Sequence, residues 1–173
     1  MNKLLLLALL CGLALTGCAG KSGRTPTTQP APSQSLLVDF TQAQALGYAP
    51  AWASQATVTR GSRLVFARQL GDVVVLIENP SNMVTVLSAR DGQIMWRMAL
   101  APSYDPVVGA VRSGNTLYVN TQGLMYSLSV ADGSMVSATS KLLQSVNTPP
   151  VLLNNFAIFG GNGGLLFAHS VLS

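Results

Sequence analysis

Few side chains in this 173-residue chain are equipped for chemistry. His169 is the single histidine, so any charge-relay triad or imidazole metal site would rest on it alone. The carboxylates Asp39, Asp72, Glu78, Asp91, Asp105 and Asp132 lie singly along the chain. None stands at the spacing that paired acid–base catalysis or a metal cage requires. No Gly-x-Ser-x-Gly elbow occurs. The run Gly160-Gly161-Asn162-Gly163-Gly164 lacks the Lys and Ser/Thr of a phosphate loop and reads as a hairpin turn. The expectation is therefore no catalytic residue, no metal ligand, no cofactor and no small-molecule substrate: the sequence predicts a protein that is not an enzyme.

Composition narrows the partners. Charged residues make up 9 % of the chain, against a usual share of about 25 %. The net charge is +4, from ten Lys and Arg against six Asp and Glu, and the cations beyond the N-terminal region (Arg60, Arg63, Arg68, Arg90, Arg97, Arg112, Lys141) are scattered. A nucleic-acid surface needs a stripe of them, so nucleic-acid binding is unsupported and no such partner is expected. Hydrophobic residues reach 49 %, too many for an intrinsically disordered chain.

Part of that apolar content is an address. Met1-Asn2-Lys3 is a short positive start, and Leu4 to Leu15 is a continuous apolar run. A bilayer core needs about 20 residues of helix, so this run matches the core of an export signal better than a small membrane anchor. Leu15-Thr16-Gly17-Cys18 resembles the lipobox of bacterial lipoproteins. The resemblance implies cleavage between Gly17 and Cys18, a diacylglycerol on the Cys18 thiol and an acyl chain such as palmitate on the new amine. Ala19 stands where lipoproteins kept in the inner membrane commonly carry Asp, which implies an outer-membrane, periplasm-facing location. An ordinary signal peptide followed by a fortuitous cysteine is the alternative. Cys11 would leave with the signal and Cys18 would be lipidated, so the mature chain would have no thiol for catalysis or a disulfide.

Residues 1–17 are thus read as the signal peptide, 18–35 as the lipidated cysteine and a flexible linker rich in small, polar and Pro residues, and 36–173 as the folded domain. Leu36–Phe40 has strand character, and Thr41–Leu46 one or two helical turns stopped by Gly47. Beyond Pro50 the pattern is that of short strands. Leu64–Ala67, Val73–Ile77, Met83–Leu87, Thr116–Val119, Leu124–Leu128 and Phe156–Phe159 are β-branched and aromatic runs bounded by Gly, Asn, Asp or Pro.

These strands belong to a repeat. Leu87-Ser88-Ala89-Arg90-Asp91-Gly92 matches Leu128-Ser129-Val130-Ala131-Asp132-Gly133 at an offset of 41 residues. At the same offset Leu76 aligns with Leu117, Ile77 with Tyr118 and Thr85 with Tyr126, and Gly123-Leu124-Met125-Tyr126 with Gly164-Leu165-Leu166-Phe167. Asp-Gly suits a tight turn that needs positive φ. Gln93-Ile94-Met95-Trp96 then reads as an outer strand ending in a large aromatic. A four-stranded unit of about 40–45 residues is a propeller blade.

The stretch Leu87–Trp96 resembles the repeat of pyrroloquinoline-quinone-type (PQQ-like) β-propellers, with Asp91, Gly92 and Trp96 at its marked positions and Asp132 and Gly133 in the second copy. The resemblance implies that Trp96 docks on the tight turn of the neighbouring repeat; in the second copy Ser137 holds that place. The predicted fold class is all-β, a partial propeller of two four-stranded blades plus part of a third. Ser173 aligns with Asp132, so the chain stops within the third repeat, and four units of 41 residues, the smallest usual ring, exceed the length after residue 35. The expectation is an incomplete copy, truncated or completed by another chain. A generic β-sandwich is the competing fold. The layout of export signal, tether and propeller is similar to the propeller lipoproteins of the outer-membrane β-barrel assembly machinery, which implies a protein-binding scaffold with other envelope proteins as partners. A fragment of a quinoprotein dehydrogenase-like enzyme and a purely structural envelope protein are the alternatives.

Overall fold

The computed structural model describes residues 40–55 and 57–171. The segments expected to be the signal peptide and linker, Cys18, and most of the Leu36–Phe40 segment lie outside them. Residues up to Gly47 and residues from Tyr48 onward form separate compact units. In the first, α1 (Phe40–Ala45) is the short helix expected from the sequence. Gly47, at φ +84°, turns the chain out of it, and its N–H donates to the Gln44 carbonyl (2.9 Å). Phe40 opens this helix rather than closing a strand.

The second unit is all-β. Its strands are β1 (Arg63–Leu70), β2 (Val73–Asn79), β3 (Met83–Ser88), β4 (Ile94–Ala99), β5 (Val107–Ser113), β6 (Thr116–Thr121), β7 (Leu124–Ser129), β8 (Met135–Lys141), β9 (Val151–Leu153), β10 (Phe156–Gly160) and β11 (Leu166–Ser170). They form three antiparallel sheets in simple order: β1-β2-β3-β4, β5-β6-β7-β8 and β9-β10-β11. The two four-stranded blades and the partial third are those the sequence predicts. Among the described residues no helix is long and apolar enough to cross a membrane.

The core lies between sheets. One apolar cluster joins Val75, Ile77, Val84 and Val86 of the first blade to Ala110, Leu117, Val119 and Leu128 of the second. Another joins Met125 of the second blade to Ala157 and Phe159 of the third, with Val146 from the connecting segment. Successive side chains of a strand point to opposite faces. A blade flanked on both sides must therefore be apolar on both, and the middle strands read as continuous hydrophobic runs. In β7 of the middle blade Met125 and Leu128, on opposite faces, are both at most 2 % exposed.

The register corrects one alignment. Val74 pairs with Leu87 and Leu117 pairs with Leu128. Leu117 is therefore the counterpart of Val74, not of Leu76, and Tyr118 that of Val75. The β3 and β7 strands keep the 41-residue offset, whereas β2 and β6 are two residues further apart, compensated by a shorter turn between β6 and β7. A shift of two preserves the face of every side chain, so hydrophobic alternation alone does not reveal it. Three strands lacked a clear signal. β8 is polar and mostly exposed along Met135–Lys141, β5 is interrupted by Gly109, and β9 is only Val151–Leu153.

Leu117 is fully buried between the first two blades. Leu117→Ala should cost about 2–5 kcal/mol, read from the urea midpoint at unchanged slope. An unchanged midpoint would contradict the packing described.

Candidate functional site

The two Asp-Gly turns follow one construction. In the first, the Gly92 N–H donates to the Ser88 carbonyl (2.9 Å) and the Gln93 N–H to Asp91 Oδ1 (3.2 Å). In the second, the Gly133 N–H donates to the Ser129 carbonyl (2.9 Å), while the N–H and hydroxyl of Ser134 both donate to Asp132 Oδ1 (3.0 and 2.8 Å). Gly92 and Gly133 have φ of +72° and +75°, the left-handed region that glycine enters at least cost. The donors hold both carboxyls below the usual Asp range: chiefly the Gln93 N–H for Asp91, and the Ser134 hydroxyl for Asp132.

Each turn is a seat for an indole. The Trp96 Nε1–H donates to the Val130 carbonyl (2.8 Å), and its ring lies on Gly133, where a Cβ would come within 3.0 Å of ring carbons. Trp96 from the first blade thus docks on the tight turn of the second, as the repeat implies. Trp52 repeats this contact one blade earlier. Its Nε1–H donates to the Ala89 carbonyl (2.8 Å), and its ring covers Gly92 so closely that no Cβ fits. Sequence reasoning missed Trp52, because no strand or Asp-Gly pair accompanies it; its place before the first Asp-Gly turn was the available signal. Ser137 pairs with Ser127 as Trp96 pairs with Val86, so it does occupy the tryptophan position of the second blade. A cavity of about 230 Å³ lies there, lined by Ser127, Ser137, Ser140 and Val171 among others.

The remaining polar groups fasten segments together. Asn82, fully buried, donates through Nδ2 to the carbonyls of Ala101 (3.2 Å), Pro102 (2.5 Å) and Asp105 (3.0 Å), and accepts from the Val107 N–H (3.0 Å). One side chain thereby fixes the link from the first blade to the second. Glu78, 3 % exposed, accepts from Arg97 (3.0 Å) and the Thr59 N–H (2.8 Å). Burial pushes its carboxyl up, but the Thr59 and Arg97 donors outweigh it and the net displacement is downward. Asp72 pairs with Arg112, whose guanidinium also donates to the Leu70 and Gly114 carbonyls, joining the β1–β2 turn to the β5–β6 turn. Arg112 is the main cause of the lowered Asp72 carboxyl.

The structure brings Gly133 against Trp96 and leaves the other sequence-predicted chemistry dispersed. Asp91 and Asp132 sit in different blades, and Cys18 lies outside the described residues. His169 is half-buried in β11, paired with Ala157. Among the described residues no three His, Cys, Asp or Glu side chains converge.

BamB from Moraxella catarrhalis superposes with a TM-score of 0.53 at 23 % identity, over 70 % of this chain and 36 % of that one. The fold is that of propeller blades. The computationally designed Ika8 protein matches with a TM-score of 0.49 at 15 % identity, over 62 % of this chain and 33 % of its own. A europium-containing methanol dehydrogenase matches with 0.48 at 12 % identity, over 70 % of this chain and 28 % of its own. The chain thus spans about a third of the length of these solved structures. No family model and no curated protein matches the sequence.

Trp96→Ala should cost about 3–5 kcal/mol, the range for emptying a buried aromatic site, whereas Ser137→Ala should change stability by less than about 0.5 kcal/mol. Equal effects in chemical denaturation would contradict the seat. Lowered carboxyls stabilise the fold above their unfolded pKa, and that contribution is lost as pH falls through the folded value. Stability should therefore decline below about pH 4, and Asp132→Asn should flatten the decline measured by denaturant titration between pH 5 and pH 2.

Proposed function

We propose that this chain is a non-catalytic outer-membrane lipoprotein, held by lipid on Cys18 and facing the periplasm, whose PQQ-like propeller blades bind other envelope proteins. The observation that carries the reading is how the structure uses its chemistry-bearing side chains. Asp91 and Asp132 accept from their own turns, Glu78 is held by Arg97 and Thr59, and Asp72 is held by Arg112. Each of these carboxylates serves the frame rather than a shared pocket. Large apolar side chains meanwhile remain at the surface, including Leu64, Phe156 and Leu166. Contiguous exposed apolar area marks an interaction site.

The lipobox Leu15-Thr16-Gly17-Cys18 supports the anchor, and two or more acyl signals give stable membrane attachment. The residues of the linker supply reach without a core of their own. Blades of a propeller offer edges and turns that protein partners can read, and function on such a fold resides in the grafted surface rather than in the fold.

Labelled palmitate should enter the wild-type chain expressed in a Gram-negative host and should not enter Cys18→Ser, which should leave the outer-membrane fraction. Equal labelling of both would contradict the anchor. Affinity capture from detergent-solubilised envelopes should recover the same protein partners with wild type and lose them with Leu64→Glu or Phe156→Glu; capture of nothing by the wild type would contradict the binding role.

A further inference from the structure

The register gives several end-face residues a buried counterpart elsewhere in the same chain. Phe156, Ile158, Leu166 and Ala168 of the third blade correspond to Val73, Val75, Val84 and Val86 of the first. In the first blade those four are at most 1 % exposed, because the second blade covers them. In the third blade Phe156 is 49 % and Leu166 77 % exposed. The opposite end behaves likewise. Leu64, Val74 and Leu76 of the first blade correspond to Val107, Leu117 and Val119 of the second. The latter three are at most 1 % exposed under the first blade, whereas Leu64 is 47 % exposed and Val74 and Leu76 are half-buried.

The two end faces are therefore the two halves of one contact that the chain already makes twice. A third observation fits them together. The first two blades each have an outer strand, β4 and β8, but among the described residues β11 has none. The segment around Trp52 is the reverse. Its indole is seated on the first blade as Trp96 is on the second, yet Pro50–Gln55 belongs to no sheet. It occupies the position of an outer strand without the blade it would complete.

We propose that a second copy of this chain joins the two, head to tail. The third blade of one copy packs its Phe156–Leu166 face on the Leu64–Leu76 face of the next, and the Trp52 segment of that next copy pairs along β11 as its fourth strand. By the β3–β4 register, in which Val86 faces Trp96 and Val84 faces Met98, Trp52 then lies opposite Ala168 and Ser54 opposite Leu166. Such a heterologous contact closes into a ring when the rotation per copy allows it, and pairing removes an open sheet edge that otherwise invites aggregation. This inference rests on the blade faces and is independent of the lipid anchor; it commits the Leu64 and Phe156 faces to a second copy, so a chain that stays monomeric while an envelope partner is lost on Phe156→Glu would count against it and not against the proposed function.

The test uses the full chain in an excess of detergent micelles, with a photoreactive benzoylphenylalanine in place of Leu166, mixed with an isotopically heavy unlabelled copy. After illumination the label should be joined to the heavy tryptic peptide 25–60, which contains Trp52 and Ser54. Sedimentation should show concentration-dependent association, and Phe156→Glu should weaken it by at least about tenfold, or about 1.4 kcal/mol. The thermal midpoint of the monomer should not move, since Phe156 is half exposed there. A monomer at every concentration, a cross-link only within one copy, or a cross-link to another segment would each overturn the proposal. So would association unchanged by Phe156→Glu.

Discussion

A β-sheet with two apolar faces needs a neighbour on each side, and the rest of this structure follows from that constraint. Short antiparallel hairpins are marginal alone. Here each sheet gains its stability by laying one face on the next, as Val75 and Val86 do against Leu117 and Leu128. The tryptophan seats make that contact specific. An indole ring that covers a glycine turn, with its N–H on a backbone carbonyl, fixes the rotation of one blade against another to within a hydrogen bond. A purely apolar interface could slide; one that must also satisfy the Trp96 N–H cannot. The buried Asn82 acts in the same sense, since it ties three carbonyls and one N–H of the connecting loop to the end of the β2–β3 turn.

The same constraint explains which faces stay exposed among the described residues. The second blade has a blade on both faces; among the described residues the first has none on its Leu64 face and the third none on its Phe156 face. Residues that are interchangeable by register, such as Val84 and Leu166, thus have opposite exposures. Their environments differ because of position in the stack and not because of residue type. The fold and the proposed association are accordingly two consequences of one kind of contact.

Much of this was legible before any coordinates. The Asp-Gly turns, the Leu87–Trp96 repeat and the count of two blades plus part of a third follow from spacing and turn chemistry. The alignment of β2 with β6 was displaced by two residues, because a period-2 pattern is blind to an even shift. β8 escaped because an edge strand facing solvent has no need of an apolar run. At the site, Trp96 and Gly133 were found by their motif. Trp52 and Asn82 were not, because their partners, Ala89 and the 101–107 loop, are remote in sequence and carry no signature. The proposal of an anchor at Cys18 rests on its lipobox alone.

Hydrogen exchange tests the central claim, that cover on both faces is what stabilises a blade. It is best measured on the full chain at a concentration low enough to keep it monomeric. The account predicts that amides of β6 and β7 in the doubly covered second blade exchange slowest, at the rate of global unfolding, and that those of β10 and β11 exchange faster through local opening. Equal protection in all three blades, or slowest exchange in the third, would contradict it.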